Sequence, residues 1–259
     1  MEETLTVKET LKKPPLFAVF LRSFFLQTLM SYVRMQGLGF GLSMLPFIKH
    51  AGIEGERLKS FLKRHLSFFI AHPYLATYAM GAVGKLETEG AADAEISEFK
   101  SSIMGPLGVF GDQIFWARFR PLVATTTIIV LMYLHWPPIT GYRLEIIWIL
   151  TGAFLLYNLV HFTVRWQGLV WGYASGKAVL RVLTRSRLVK YRLHLGLGTA
   201  FAAGIFLIKS YEVIDNSYVF IGSFLAATIS LRMKAPLWIT LLLVFSVTLG
   251  ISFITGFKI

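Results

Sequence analysis

Apolar runs broken by short polar stretches dominate the second half of the chain, whereas the first half mixes the two at helical spacing. Residues 122–136 are apolar and end at Pro137-Pro138. Residues 146–164 form a second run, broken by Asn158 and His161, and residues 195–208 and 218–231 form two shorter ones. Residues 236–257 carry no charge; as a helix they would extend ~33 Å, enough for a bilayer core. In the first half, residues 16–30 follow Pro14-Pro15 and carry only Arg22 as a charge. They are too short for an ordinary span, so they read as an interfacial or re-entrant helix, or else as a buried core helix. Within residues 49–65 and just beyond, Leu58, Phe61, Leu62, His65, Leu66 and Phe69 recur at helical spacing beside a basic face. This is an amphipathic helix able to lie on a membrane surface. Residues 75–86 form another apolar helix with Gly81 and Gly84. The acids Glu87, Glu89, Asp93, Glu95 and Glu98 read as a solvent-exposed linker and the start of the next helix. The predicted fold is all-α, an integral membrane protein with several spans and re-entrant or broken helices.

The segment 104–121 is the pivot between the halves. It packs Gly105, Pro106, Gly108 and Gly111 into a few residues, then Asp112, and closes with Arg118, Arg120 and Pro121. Local composition supports two readings equally. One is a broken or re-entrant element, whose irregular backbone must be satisfied by protein or a cavity. The other is a loop joining a soluble half to a membrane half. Small residues four apart, Gly37 and Gly41, then Gly168, Gly172 and Gly176, predict close helix packing. The domain reading is a cytoplasmic tail over 1–15, an N-terminal helical region over 16–121 and a transmembrane region over 122–259.

Composition sharpens the membrane reading. Charged residues are 15% of the chain and hydrophobic residues 55%; soluble proteins are typically ~25% charged. The net charge of +12 would suggest nucleic acid in a soluble protein, but here the cations flank apolar spans, which points to anionic lipid and topology control and away from nucleic acid. Lys177, Arg181, Arg185, Arg187, Lys190 and Arg192 occur without an intervening acid, so this loop is expected to face the cytoplasm, as are Arg232 and Lys234. The polar turn at 209–217 then faces outward, the N-terminus is cytoplasmic and the last span leaves Lys258-Ile259 outside. The polar N-terminus does not resemble a signal peptide. Without cysteine there is no disulfide, thiolate metal site or cysteine nucleophile.

Candidate chemistry is sparse. The six histidines never form a His-Glu-x-x-His pattern and the acidic run lacks calcium-loop spacing, so no metal and no cofactor is expected. No nucleophile–base constellation is visible, which argues against an enzyme acting alone. His72 precedes Pro73 and is either structural or functional.

Four ordered stretches resemble one family. Arg34-Met35-Gln36-Gly37-Leu38-Gly39-Phe40 with Met44 and Pro46 is the first. Arg64-His65-Leu66-Ser67-Phe68-Phe69 through His72-Pro73-Tyr74 is the second. Met104 to Asp112 with Ile114-Phe115-Trp116 and Arg120-Pro121 is the third and most specific. Tyr157-Asn158-Leu159-Val160 with Trp171-Gly172-Tyr173 and Gly176 is the fourth. Together they resemble the IID membrane subunit of the mannose/fructose/sorbose type of bacterial sugar phosphotransferase system. The chain departs from that pattern at Val33, where glutamate is usual, at Ile70 (asparagine), Gln113 (proline) and His161 (arginine).

The resemblance implies a bacterial inner-membrane protein that pairs with a IIC subunit, the pairs assembling as a trimer. A hexose-type sugar would cross and be phosphorylated from a soluble IIB carrier recharged by IIA. No phosphorylated or catalytic residue is expected on this chain itself. Within that frame, Asp112 accepts a sugar hydroxyl or holds Arg118 or Arg120. Arg34 and Gln36 reach the cavity or pin the N-terminal helices, and Asn158 bonds a sugar hydroxyl or another helix. A basic surface of Lys59, Lys63, Arg64 and the 177–192 loop docks the carrier or meets anionic lipid. The four departures motivate the alternative, a non-transporting scaffold or a bacteriocin or phage receptor that keeps the fold.

Overall fold

A computed structural model describes residues 13–135 and 144–213, with positions 225 and 246. Every regular element among them is helical. In order these are α1 (Leu16–Ser23), α2 (Gly37–His50), α3 (Gly55–His65), α4 (Ala76–Thr88), α5 (Asp93–Gly111), α6 (Arg120–His135), α7 (Leu144–Ser175), α8 (Val179–Arg185), α9 (Arg187–Lys190) and α10 (Arg192–Val213). The runs expected at 218–231 and 236–257, and the Pro137-Pro138 stop, lie outside the described residues. By packing, residues up to Val123 group with Leu150–Leu197, and Ala124–Ile149 with the residues from Gly198 onward. Residues 150–197 therefore pack with the N-terminal region. The functional side chains belong to this first unit.

The N-terminal region is built from short, interrupted elements. α1 passes into a 3₁₀ turn, Phe24–Leu26, before the chain doubles back through a tight loop closed by Ser31 and Met35. α2 is then wedged in closely. A Cβ at Gly37 would meet the Ser67 carbonyl oxygen at 2.1 Å, and one at Gly39 the Leu26 Cα at 2.6 Å. The amphipathic helix starts at Gly55, after the chain turns at Gly52 and Gly55, both at positive φ. Its apolar face does not lie on a membrane: Phe61 and His65 are buried in the chain's own core, His65 beside Phe40.

Segment 104–121 is neither a loop nor a break. α5 continues through Pro106 to Gly111, residues 112–119 wind as a π-helix, and α6 follows directly. The glycines and Pro106 are carried inside α5, and the wider i→i+5 winding begins only after Gly111. Ile114 and Phe115 of the π segment turn into the core, while Asp112 and Trp116 stay exposed.

α7 seats its small residues against α4 as the glycine spacing predicts. A Cβ at Gly172 would strike the Tyr78 carbonyl oxygen at 2.4 Å, and one at Gly81 the Leu169 carbonyl oxygen at 2.2 Å. Gly176, at φ 53°, ends α7. The expected basic loop is a helical elbow: α8 buries Val179 and Leu183, and Arg181, Arg185, Arg187, Lys190 and Arg192 stay exposed along α8, α9 and the start of α10. α10 runs on through positions 209 and 212 to Val213, so the expected polar turn begins later, beyond the described residues. The helical stretches Asp93–Tyr133 and Leu144–Phe206 each hold a window long and apolar enough to cross a membrane, and none of the second window is buried within the chain.

Candidate functional site

Three polar clusters lie in the first unit, and they differ in how completely their groups are satisfied. The first joins α3, α4 and α5. Glu87, assigned by sequence to a solvent-exposed linker, is 0% exposed. It accepts Arg64 Nε at 2.7 Å and Nη2 at 2.9 Å, and His65 Nε2 at 2.7 Å. Arg64 also reaches Asp93 at 2.8 Å, Arg57 donates to the Glu87 carbonyl, and Lys100 Nζ donates to the Arg64 carbonyl at 2.6 Å. Burial alone would raise the Glu87 pKa, but the hydrogen bonds from His65 and Arg64 outweigh it and hold the carboxylate below its ordinary value. Burial pushes His65 down to about 4. The neutral ring then donates from Nε2, and Nδ1 is left without a partner. Arg64 is thus no part of a basic surface: its charge is spent on Glu87 because a buried carboxylate needs a cation.

The second cluster centres on Arg165 of α7. Its Nη1 donates to Ser23, to the carbonyl at 2.7 Å and the hydroxyl at 3.0 Å, and its Nε donates to His161 Nε2 at 2.7 Å. The guanidinium lies over Phe24, 4.8 Å from the centroid, and His161 stacks on Tyr74 at 3.9 Å. The Tyr74 hydroxyl meets that of Tyr157 at 2.9 Å. The departure at His161 is absorbed here, since a second arginine would set two guanidinium groups side by side, whereas the histidine accepts. Periodicity missed Arg165 because it falls one residue beyond the apolar run. A lone charge four residues after a histidine in such a helix is the signal that was available.

The third is a cleft of about 450 Å³ between α5, the π segment and the loop 70–73. It gathers Gln36, His72 and Asp112, which the sequence singles out separately, with Gly105, Gly108 and Trp116. His72 is 2% exposed. Its ring stacks on Phe115 at 5.2 Å, and Gly111 packs so closely that an added Cβ would lie 2.1 Å from His72 Cβ. The Tyr74 backbone N–H donates to His72 Nδ1 at 3.3 Å, which places the ring proton on Nε2. Burial, with help from Arg165 and His161, pushes His72 down to about 4, so the ring is neutral. Nε2 has no partner. Gln36 accepts the Ala71 N–H through Oε1 at 3.1 Å. Asp112 is exposed and joins neither Arg118 nor Arg120 in an ion pair; Arg118 Nη1 donates instead to the Gln113 carbonyl.

The remaining sequence candidates lie elsewhere. Arg34 is exposed on the 31–35 loop, its carbonyl accepting from Gly37 and Phe69. Arg120 is exposed at the start of α6 and does not line the cleft. Asn158 bonds back to the Phe154 carbonyl of its own helix at 2.8 Å. Lys59 and Lys63 are exposed, Lys59 pairing with Glu56, and Lys177 pairs with Glu95. Of the departures, Val33 sits exposed beside Arg34 and Ile70 lines the cleft.

Comparison with known proteins matches this arrangement to one group. The family model described as the mannose/fructose/sorbose family IID component of the PTS system matches residues 10–206. The mannose-specific EIID component of Escherichia coli strain K12 is 34% identical over 185 residues, 68% of this chain and 60% of that protein. The fructose permease IID component of Bacillus subtilis strain 168 is 30% identical over 71% of this chain and 64% of that protein. The chain therefore aligns over somewhat less than two thirds of the length of these relatives. A solved chain titled as a membrane protein structure superposes with TM-score 0.73 at 26% identity, covering 96% of this chain and 97% of that one. A chain from the mannose transporter ManYZ in complex with microcin E492 superposes with TM-score 0.57 at 26% identity, covering 95% and 97%.

Proposed function

The chain belongs to the IID component family of the mannose/fructose/sorbose phosphotransferase system, and we propose that it is one membrane subunit of a sugar permease. It works with a IIC subunit in the uptake of a hexose-type sugar coupled to its phosphorylation. The observation that carries this reading is the likeness along nearly its whole length to a chain of a mannose transporter complex. The chain contributes no covalent chemistry. Its part is to hold helices, partner and substrate in register, the positioning that phosphoryl transfer requires.

The ion pair between Lys177 and Glu95 supports a single orientation, because it joins the basic elbow to the first turn of α5. Exposed cations on both sides of that junction, Lys59 and Lys63 on α3 and Arg181 and Arg185 on the elbow, support a cytoplasmic face here. With the N-terminus on that side and the C-terminus outside, the elbow meets anionic headgroups and receives the soluble IIB carrier, itself recharged by IIA. The IIC–IID pairs form a trimer in the bacterial inner membrane.

The test is accumulation of sugar phosphate in cells expressing this chain with its IIC partner and the soluble carriers, supplied in turn with mannose, fructose and sorbose. Product that appears only when this chain is present supports the reading. A well-assembled complex that phosphorylates none of them sinks it.

A further inference from the structure

We propose that the cleft between α5, the π segment and the loop 70–73 is a sugar-binding subsite of this subunit itself, its occupant a neutral hexose. The inference rests on the permease reading for its substrate class and on the cleft's own chemistry for its place.

Four properties of the cleft select the ligand. His72 presents a donor, its Nε2–H, which is buried and unpartnered. A buried donor without a partner is costly, and it becomes satisfied when a ligand oxygen accepts it. Asp112 presents an acceptor in the same cleft, with no cation paired to it among the described residues. A free anion is repelled by that carboxylate. A cation gains only one carboxylate. A sugar hydroxyl both accepts and donates, so one polyol answers both groups. Trp116, 48% exposed at the rim, offers an aromatic face to the ring's C–H surface.

Room comes from the two glycines of α5. A Cβ at Gly105 or Gly108 would meet nothing within 4 Å, so the floor of the cleft is open helix backbone. At about 450 Å³ the space lies in the ~300–1,000 Å³ range of small-molecule sites. Gly111, one turn on, has no such room, because His72 packs directly against it. Ile70 places an apolar side chain at the wall of this cleft, so the hexose is held chiefly through His72 and Asp112.

The native chain has no cysteine, which allows a direct test. Gly108→Cys puts one thiol on the cleft floor without a clash. The full chain, in membranes with its IIC partner, is labelled with a maleimide in the presence and absence of mannose, fructose or sorbose. One of these hexoses is expected to slow labelling about tenfold at ten times its Kd. Adding Asp112→Asn or His72→Phe to the Gly108→Cys chain is expected to abolish protection while the complex still co-purifies. Labelling unaffected by every hexose overturns the proposal, whatever the uptake assay gives. A thiol that is blocked whenever the IIC partner is present, and free without it, also overturns it, since the cleft is then a subunit contact. Protection by a hexose in a complex that forms no sugar phosphate upholds the subsite and removes only the phosphotransferase reading.

Discussion

The Glu87 cluster and the His72 cleft are both built around a buried histidine, yet they differ in what surrounds it. At Glu87, α3, α4 and α5 supply Arg64, His65, Arg57 and Lys100 to a single carboxylate and the chain around it, so each charge finds an opposite charge or a carbonyl. At the cleft, a neutral imidazole and an exposed carboxylate face common space and bond neither to each other nor to a cation. In the Glu87 cluster the charged groups are paired, and the open atom, His65 Nδ1, belongs to a fully buried ring, so the cluster acts as a latch. An unsaturated one has donors and acceptors to give away. Perturbed histidines alone would not distinguish them, since burial lowers both to about 4.

The largest effect of any single substitution should come from breaking the latch. Glu87→Gln removes the buried carboxylate from Arg64 Nε and Nη2 and leaves the guanidinium only the half-exposed Asp93, a change that approaches the ~3–5 kcal/mol of a broken buried pair. Thermal unfolding of the purified complex should fall sharply, and an unchanged melting temperature would mean the cluster is not buried as described.

Acid should act next, and on both sites. Above pH ~6.5 the two histidines are neutral in the folded and the unfolded chain. Between about 6.5 and about 4 the unfolded chain takes up protons that the folded chain refuses. Stability is therefore complete above the upper limit and falls as pH drops, by about 1.4 kcal/mol per pH unit for each histidine. Glu87, held below its ordinary value, adds loss of the same sign at the acid end of the range. Melting curves from pH 7.5 to 4.5 check the slope; a flat profile would contradict neutral burial.

Gly111→Ala sharpens the comparison from within the cleft. Its methyl would overlap His72 Cβ, with an overpacking cost of about 1–3 kcal/mol, while Gly105→Ala and Gly108→Ala meet open space and should be close to neutral in stability. If all three variants melt alike, α5 does not pack on His72 at Gly111. Asp112→Asn should leave the melting temperature within about 0.5 kcal/mol of the parent, as for an exposed position, while removing protection by sugar. Smallest of all is Lys59→Ala, where loss of an exposed pair with Glu56 should cost well under about 1 kcal/mol. A large effect there would assign α3 a surface function that its packing does not suggest.

Much of this was legible in the residues. The apolar runs 122–136 and 146–164 are helices α6 and α7, and the small residues of α7 meet α4 where their spacing predicts. Gln36, His72 and Asp112 were recognisable as candidates but not as neighbours, since they lie on three separate elements. Glu87 was misread because its neighbours Glu89 and Asp93 are acidic and solvent-facing. Only the approach of Arg64 and His65 from α3 makes its burial tolerable. Arg64 was misread for the mirror reason: a cation in a basic stretch reads as surface until its carboxylate is found.

The sequence by itself determined the class of the protein, because hydrophobic period, charge deficit and ordered motifs are local quantities that add along the chain. Helix content, the membrane reading and the family all follow from such sums. The tertiary structure alone decided which polar groups are spent and which are free, because pairing depends on distances between residues far apart in the chain. Glu87 becomes a latch and His72 a candidate ligand group through the same rule, that a buried polar group must find a partner. The first finds its partners within the chain, and the second is left facing an open cleft.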